Sequence, residues 1–373
     1  MSFQQAVQQI TTWVAEGIVR GASIAVEHRG TCVASAVAGE AQPGVPVTPE
    51  TLFALASVSK PFTAAAIMHV IDEGYFALDD EVAAVVPEFG APEDPFPEDA
   101  LPQLEARREE ITFRQLLAHT SGLPENAGVK RLRMRDLPTL DHMIDVMLAV
   151  PLQSAPGEVL RYSNLGAAIA ARAAERATGT PFHTLLQRAI LDPMGLDGVA
   201  LRPGPDLDDR IALVQDPANA GTPAESYNSR YWRDLGIPWG GYYGTARDVL
   251  RFATSFLPGR DRPLSDEAVT EMTADQVRGL PGGVESAGII WPHGAWGLGW
   301  EVKGPKRHHW TGTASAPETF CHWGQSGTLV WVDPTRALGV AVLANRTVRH
   351  PWPLRPPRWA ALSDAIIAAA DGR

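Results

Sequence analysis

Apolar residues follow two rhythms along this chain, and which one holds depends on position. Phe3, Val7, Ile10 and Val14 stand three and four residues apart, a helical spacing across 1–16. The stretches 22–26 and 31–37 are rich in β-formers and are joined by Arg29-Gly30, which predicts a hairpin. The same texture returns late in the chain. There 296–302, 328–332 and 338–344 read as strands, the last two joined by the turn Asp333-Pro334-Thr335-Arg336. A helix over 359–370 ends the pattern. The middle is mostly helical: 61–73, closed by Gly74, then 112–118, 142–149, 165–178 and 182–190. The Pro-rich acidic stretch 91–100 reads as a surface loop.

Strands at both ends with helices between them predict an α+β fold. One antiparallel sheet is closed by the two termini, and the terminal helices cover one face of it. With 373 residues and 45% apolar content, the chain can bury a large core; about 75% of the unfolded surface is removed from water at this size. The net charge of −11 argues against nucleic acid and anionic membranes as partners. No apolar run is long enough to span a bilayer. The N-terminus lacks a basic stretch followed by an apolar one, so a cytoplasmic location is expected. Two cysteines, Cys32 and Cys321, make no disulfide framework.

Candidate chemistry begins at Ser57-Val58-Ser59-Lys60, just before a helix. Taken alone, a serine there is an ordinary N-cap. The spacing also has a chemical use, because residues three apart share a helix face and an amine can reach the hydroxyl. The helix N-terminus favours negative charge and offers free N–H groups. Tyr162-Ser163-Asn164 supplies a phenol and a carboxamide, or else a turn with Asn164 as helix cap. His322-Trp323-Gly324-Gln325-Ser326-Gly327 opens a predicted strand, where glycine permits close approach of backbone to a ligand. The Ser57 and Gln325 N–H groups are then candidate oxyanion donors. No Gly-x-Ser-x-Gly elbow, no Gly-Lys pair of a P-loop and no clear metal spacing occur. His293, His308 and His309 fall in a Gly/Pro/Trp-rich segment that reads as loop.

Together these motifs resemble the serine β-lactamase and penicillin-binding-protein superfamily, in its class C branch, which includes family VIII carboxylesterases. Ser57-x-x-Lys60, Tyr162-x-Asn164 and His322-x-Gly324 match its three motifs in order. Leu116 to Pro124, Pro156-Gly157 and Gly240 to Asp248 match between them. The resemblance implies a β-lactamase/DD-peptidase-like fold. A mixed α/β lobe (about 1–75 and 285–373) would hold a sheet of five or more strands, with a mainly helical lobe (about 76–284) beside it. The site would lie in the cleft between the lobes.

It also implies that Ser57 is acylated, that Lys60 and Tyr162 relay protons, and that Asn164, His322, Gly324 and Gln325 contact substrate. His119 and Ser121 belong to a spacer turn read as structural. No cofactor or metal is expected, and the partner is a small ester or amide. His322 stands where β-lactamases carry lysine, and a neutral imidazole suits a substrate without a carboxylate. Tyr227, Tyr231, Trp232, Trp239, Tyr242, Tyr243 and Trp323 are candidates for an apolar acyl pocket, or for core packing. A carboxylesterase is the expected activity. The alternatives are a β-lactamase or D-amino-acid peptidase, acyl transfer from the same intermediate, and a non-catalytic binding descendant.

Overall fold

The computed structural model describes residues 1–93, 97–349, 351–355 and 357–373. Part of the acidic loop expected at 91–100 therefore lies outside the described residues.

A seven-stranded sheet dominates the fold. Its strands are β1 (Gly21–His28), β2 (Thr31–Gln42), β3 (Val45–Pro46), β10 (Glu301–Val302), β11 (Phe320–Gly324), β12 (Thr328–Asp333) and β13 (Leu338–Ala344). The order is β10-β11-β12-β13-β1-β2-β3, with every neighbouring pair antiparallel. The first and last long strands of the chain, β1 and β13, thus meet in the middle. Arg29 and Gly30 both take positive φ, +52° and +84°, as a tight hairpin turn between β1 and β2 requires. Asn345 fastens this junction. Its Oδ1 accepts from the Gly21 N–H at 2.8 Å and its Nδ2 donates to the Glu40 carbonyl at 3.0 Å.

The strands β12 and β13 are buried along their whole length, because helices cover both faces of the sheet. On one face lie α1 (Phe3–Val7), α2 (Gln9–Ala15) and the terminal helix Arg358–Ala370. The single helix expected over 1–16 is broken at Gln8, yet Ala6, Val7, Ile10 and Trp13 all stay buried in one core. The other face packs on Ala246–Thr254, and through it on α3 (Ser59–Asp72). In α3 every residue from Ser59 to Met68 is buried, so that part of the helix is enclosed on all sides. Phe62 stacks on Phe252 with ring centroids 3.7 Å apart.

Two strand expectations change. Only Glu301–Val302 of 296–302 is a strand. Trp296 to Trp300 form a tight turn in which Gly299 takes φ +76°, and a β-carbon at Gly297 would lie 2.1 Å from the Met272 carbonyl. His322 to Gly324 end a strand of their own, β11, and Gln325 to Gly327 form the hairpin turn before β12.

Two small sheets lie outside the large one. β4 (Phe53–Ala54), β7 (Tyr242–Gly244) and β6 (Val199–Leu201) form the first; β5 (Leu160–Arg161), β8 (Gly282–Val284) and β9 (Ile289–Trp291) form the second. No helix among the described residues is long and apolar enough to cross a membrane.

Replacing Asn345 by Ala would strand a buried donor and an acceptor where the chain ends meet. We expect Asn345→Ala to lose about 1–3 kcal/mol of stability. Denaturant unfolding checks this, and a loss below about 0.5 kcal/mol would show that the sheet closes without that side chain.

Candidate active site

Ser57 sits in a short 3-10 turn, Ala56–Val58, that runs straight into α3. The turn is held from two sides. From the sheet, Thr328 Oγ1 donates to the Leu55 carbonyl at 2.9 Å and Ser326 Oγ donates to that of Ala54. From behind, the Leu55 N–H donates to the Tyr242 carbonyl at 2.8 Å, and β4 pairs with β7. Ala56 is forced to φ +48°, a left-handed conformation that costs a non-glycine residue about 1 kcal/mol or more. The Ser57 side chain is half-buried and caps nothing; the residue preceding α3 is Val58, which makes no side-chain cap bond. The capping alternative for Ser57 therefore fails.

Lys60 Nζ lies 3.2 Å from Ser57 Oγ, 2.7 Å from Asn164 Oδ1 and 2.9 Å from the Trp239 carbonyl, all within hydrogen-bond distance. Two of these partners can only accept. A neutral amine satisfies both with its two N–H bonds and turns its lone pair to Ser57, which can donate. Burial lowers the Lys60 pKa to about 7, and the Glu125 carboxylate opposes part of that fall.

Tyr162 follows β5, and its ring lies 4.8 Å from Lys60 Nζ. Burial holds its phenol well above the ordinary value, with the Ser57 hydroxyl offsetting part of the rise and the Glu125 charge adding to it. Tyr162 Oη itself is buried and has no hydrogen-bond partner among the described residues. Ser163, not Asn164, caps the helix Asn164–Thr178, its Oγ accepting from the Leu165 N–H. Asn164 is engaged at both ends, accepting from Lys60 and donating to Asn126 Oδ1 at 2.9 Å. In this geometry it orients the amine.

His322 is buried. Its Nδ1 lies 2.8 Å from the Trp323 carbonyl, which only accepts, so Nδ1 carries the proton and Nε2 is bare. Burial, and then the nearby Lys60 charge, lower its pKa to about 3. Gly324 brings β11 against the nucleophile turn: a β-carbon there would lie 2.2 Å from the Leu55 carbonyl and 3.3 Å from Ala56 Cβ. No backbone carbonyl among the described residues accepts from the N–H of Ser57 or of Gln325. Both donors are therefore free.

Several neighbours escaped the sequence reading. Trp239 contributes a carbonyl, which no motif of side chains reveals. Trp296 packs edge-on to His119 and His322, with centroids at 5.0 and 5.8 Å. Behind it lies a buried ion network. Lys306 Nζ donates to Glu301 Oε1 at 2.7 Å, and His309 Nε2 donates to the same oxygen at 2.9 Å. His309 lies in a loop, as expected from sequence, and is buried there. Glu301, His309 and Cys321 place one possible metal donor each within 4.8 Å, but the Lys306 ammonium already neutralises that carboxylate.

Most of the aromatic residues suggested for an acyl pocket are core. Tyr242 is fully buried against Phe62 and Thr63, Tyr243 Oη donates to the Tyr227 carbonyl at 2.5 Å, and Trp323 packs between Trp310 and Trp359.

We expect Gly324→Ala to push the strand off the Leu55–Ser57 turn and cost about 1–3 kcal/mol. Thermal unfolding checks it, and an unchanged melting temperature would mean that the two segments are not packed as described.

Comparisons with known proteins give the family and the fold. The model of the Beta-lactamase family matches residues 3–363. Penicillin-binding protein 4 of Amycolatopsis lactamdurans is 29% identical over 327 residues, 86% of this chain and 76% of that one. Esterase EstB of Burkholderia gladioli is 30% identical over 357 residues, 87% of this chain and 84% of that one. A solved family VIII carboxylesterase superposes with a TM-score of 0.79, 22% identity, and coverage of 99% and 98% of the two chains, which shows a shared fold. The chain belongs to the Beta-lactamase family.

Proposed function

We propose that this chain is a serine hydrolase working through an acyl-enzyme, and that it acts as a carboxylesterase on small esters lacking a carboxylate next to the scissile bond. The working site would lie between the two lobes expected from sequence. Ser57 Oγ attacks the carbonyl carbon, and its proton passes to the neutral Lys60 amine either directly or through the Tyr162 phenol, which gives its own proton to Lys60 as it takes one. The free N–H groups of Ser57 and Gln325 hold the developing oxyanion. The relayed proton goes to the departing alkoxide, and water, activated by the same pair, then releases the acid and regenerates Ser57.

The observation that carries the substrate class is His322. Its proton is committed to the Trp323 carbonyl and its pKa is about 3, so it is uncharged near neutrality. An uncharged ring cannot make the charged hydrogen bond to a substrate carboxylate, a contact worth about 1.5–3 kcal/mol. That disfavours β-lactams and peptidoglycan-like peptides. The likeness to an esterase at 30% identity supports the same reading. The aromatic cluster gives no further support, because most of it is core.

Three measurements test the proposal. With Lys60 near pKa 7, the amine is protonated below that pH and cannot act as base, so the ester rate should fall on the acid side with a midpoint of about 7. Lys60→Arg, permanently charged, should lose nearly all activity; turnover like the wild type would remove Lys60 from the mechanism. On one preparation, kcat/KM for p-nitrophenyl butyrate should exceed that for nitrocefin by about tenfold or more. Nitrocefin hydrolysis equal to or faster than ester hydrolysis would favour the β-lactamase alternative.

A further inference from the structure

Tyr162 must present its phenol to Ser57 within a few tenths of an ångström, yet it lies just past a strand of only two residues. His119 stands against it. This histidine comes from the turn after the helix Phe113–Leu117 and takes φ +60°. Its carbonyl accepts from the Arg161 N–H at 2.8 Å, and its Nδ1 accepts from the Ser163 N–H at 3.1 Å. It therefore holds the backbone on both sides of Tyr162. Its ring packs on the Tyr162 ring at 4.6 Å, and Trp296 backs both rings. On the opposite edge, the Tyr162 N–H donates to the Gly283 carbonyl at 3.0 Å.

We propose that His119 is the positioning residue that fixes Tyr162 for proton transfer, acting through the Nδ1 acceptor that holds the Ser163 N–H. The proposal rests on the hydrolase reading of Ser57 and Tyr162. Chemistry requires a particular form of the ring. Nδ1 must be bare to accept, so the neutral ring carries its proton on Nε2. The site enforces this: burial keeps the pKa well below the ordinary value, and a positive charge on Lys60 or His322, whenever either is protonated, presses the same way. A protonated ring would turn an N–H toward the Ser163 N–H and break the clamp. The unusual φ also has a reason, since it lets one residue offer its carbonyl to Arg161 and its ring to Ser163.

Two substitutions separate this role from plain packing. His119→Asn tolerates the left-handed backbone and places an amide oxygen near the position of Nδ1. His119→Phe keeps a ring and loses the acceptor. The probe is a fluorophosphonate, and the rate read is Ser57 phosphonylation on the full chain, with the melting temperature of each variant taken alongside.

Tyr162→Phe should slow labelling by about 100- to 10,000-fold. His119→Phe should slow it by about 10- to 100-fold, as displaced catalytic groups do. His119→Asn should recover to within about tenfold of the wild type. In a Tyr162→Phe background, His119→Phe should add less than about threefold, because its effect passes through the missing hydroxyl. A folded His119→Phe labelled within about threefold of wild type, an additive double variant, or a folded His119→Asn as slow as Tyr162→Phe would each overturn the proposal.

Amide exchange at Ser163 reads the clamp without any turnover. Protection should drop in His119→Phe and persist in His119→Asn; equal protection in both would overturn the proposal even if the probe never reacted. If His119→Phe does not fold, the Asn variant decides by the same two readouts. A wild type that the probe does not label, with the Ser163 protection pattern intact, would instead contradict the hydrolase reading and leave the clamp standing.

Discussion

The fold keeps one amine out of water without giving it a counter-ion in contact. Lys60 is 2% exposed, and its three hydrogen-bond partners are a hydroxyl, a carboxamide oxygen and a backbone carbonyl, none of them charged. Burying an ammonium in that way costs several kcal/mol, whereas a neutral amine is accommodated by the same partners. Packing therefore does the work of deprotonation. Because Asn164 and Trp239 lie 104 and 179 residues from Lys60 in sequence, the effect exists only when distant parts of the chain have assembled.

The surroundings follow the same logic. His119 and His322 are held neutral by burial, and Tyr162 is held as a phenol. Charge is present nearby but managed. Glu125, tied to Ser286 through both carboxylate oxygens, acts on Lys60 and Tyr162 from outside the hydrogen-bonded cluster. Glu301 and Lys306 neutralise one another behind the Trp296 ring, where the ammonium also donates to the Ala295 and Val302 carbonyls. A site of neutral groups polarised by fixed dipoles suits transfer of a proton from hydroxyl to amine, directly or through the phenol, because the ammonium formed on Lys60 arises together with the oxyanion and offsets its charge.

Much of this was legible in sequence because side-chain periodicity and motif order survive without coordinates. The β1–β2 hairpin announced itself through Arg29-Gly30, and β12–β13 through the Asp333 turn. The three-residue spacing of Ser57 and Lys60 was enough to foresee their contact. What stayed hidden was work done by backbone and by burial. The Trp239 carbonyl leaves no mark in composition, and a carbonyl is equally present at every residue. β11 was not expected because Phe320 to Gly324 is short and its glycine reads as a strand start as readily as a strand end. The aromatic run 227–243 reads equally as pocket lining or as core, since an apolar ring has the same signature whether it faces a ligand or a core. His119 was read as part of a turn, and the turn is real. Its ring nitrogen acts on Ser163, 44 residues later, and such a link has no local pattern.

The account stands or falls on the charge of Lys60, and only four lysines occur in the chain, which makes that charge observable. Lysine labelled with 13C at the ε-carbon gives four signals whose shifts follow protonation, and Lys60→Arg assigns the one in question. Titrating the full chain should show that signal moving with a midpoint of about 7, well below the value of about 10.4 usual for a lysine amine in water. A Lys60 midpoint near 10 would mean that the buried amine is an ammonium at neutral pH, and would contradict its role as the base.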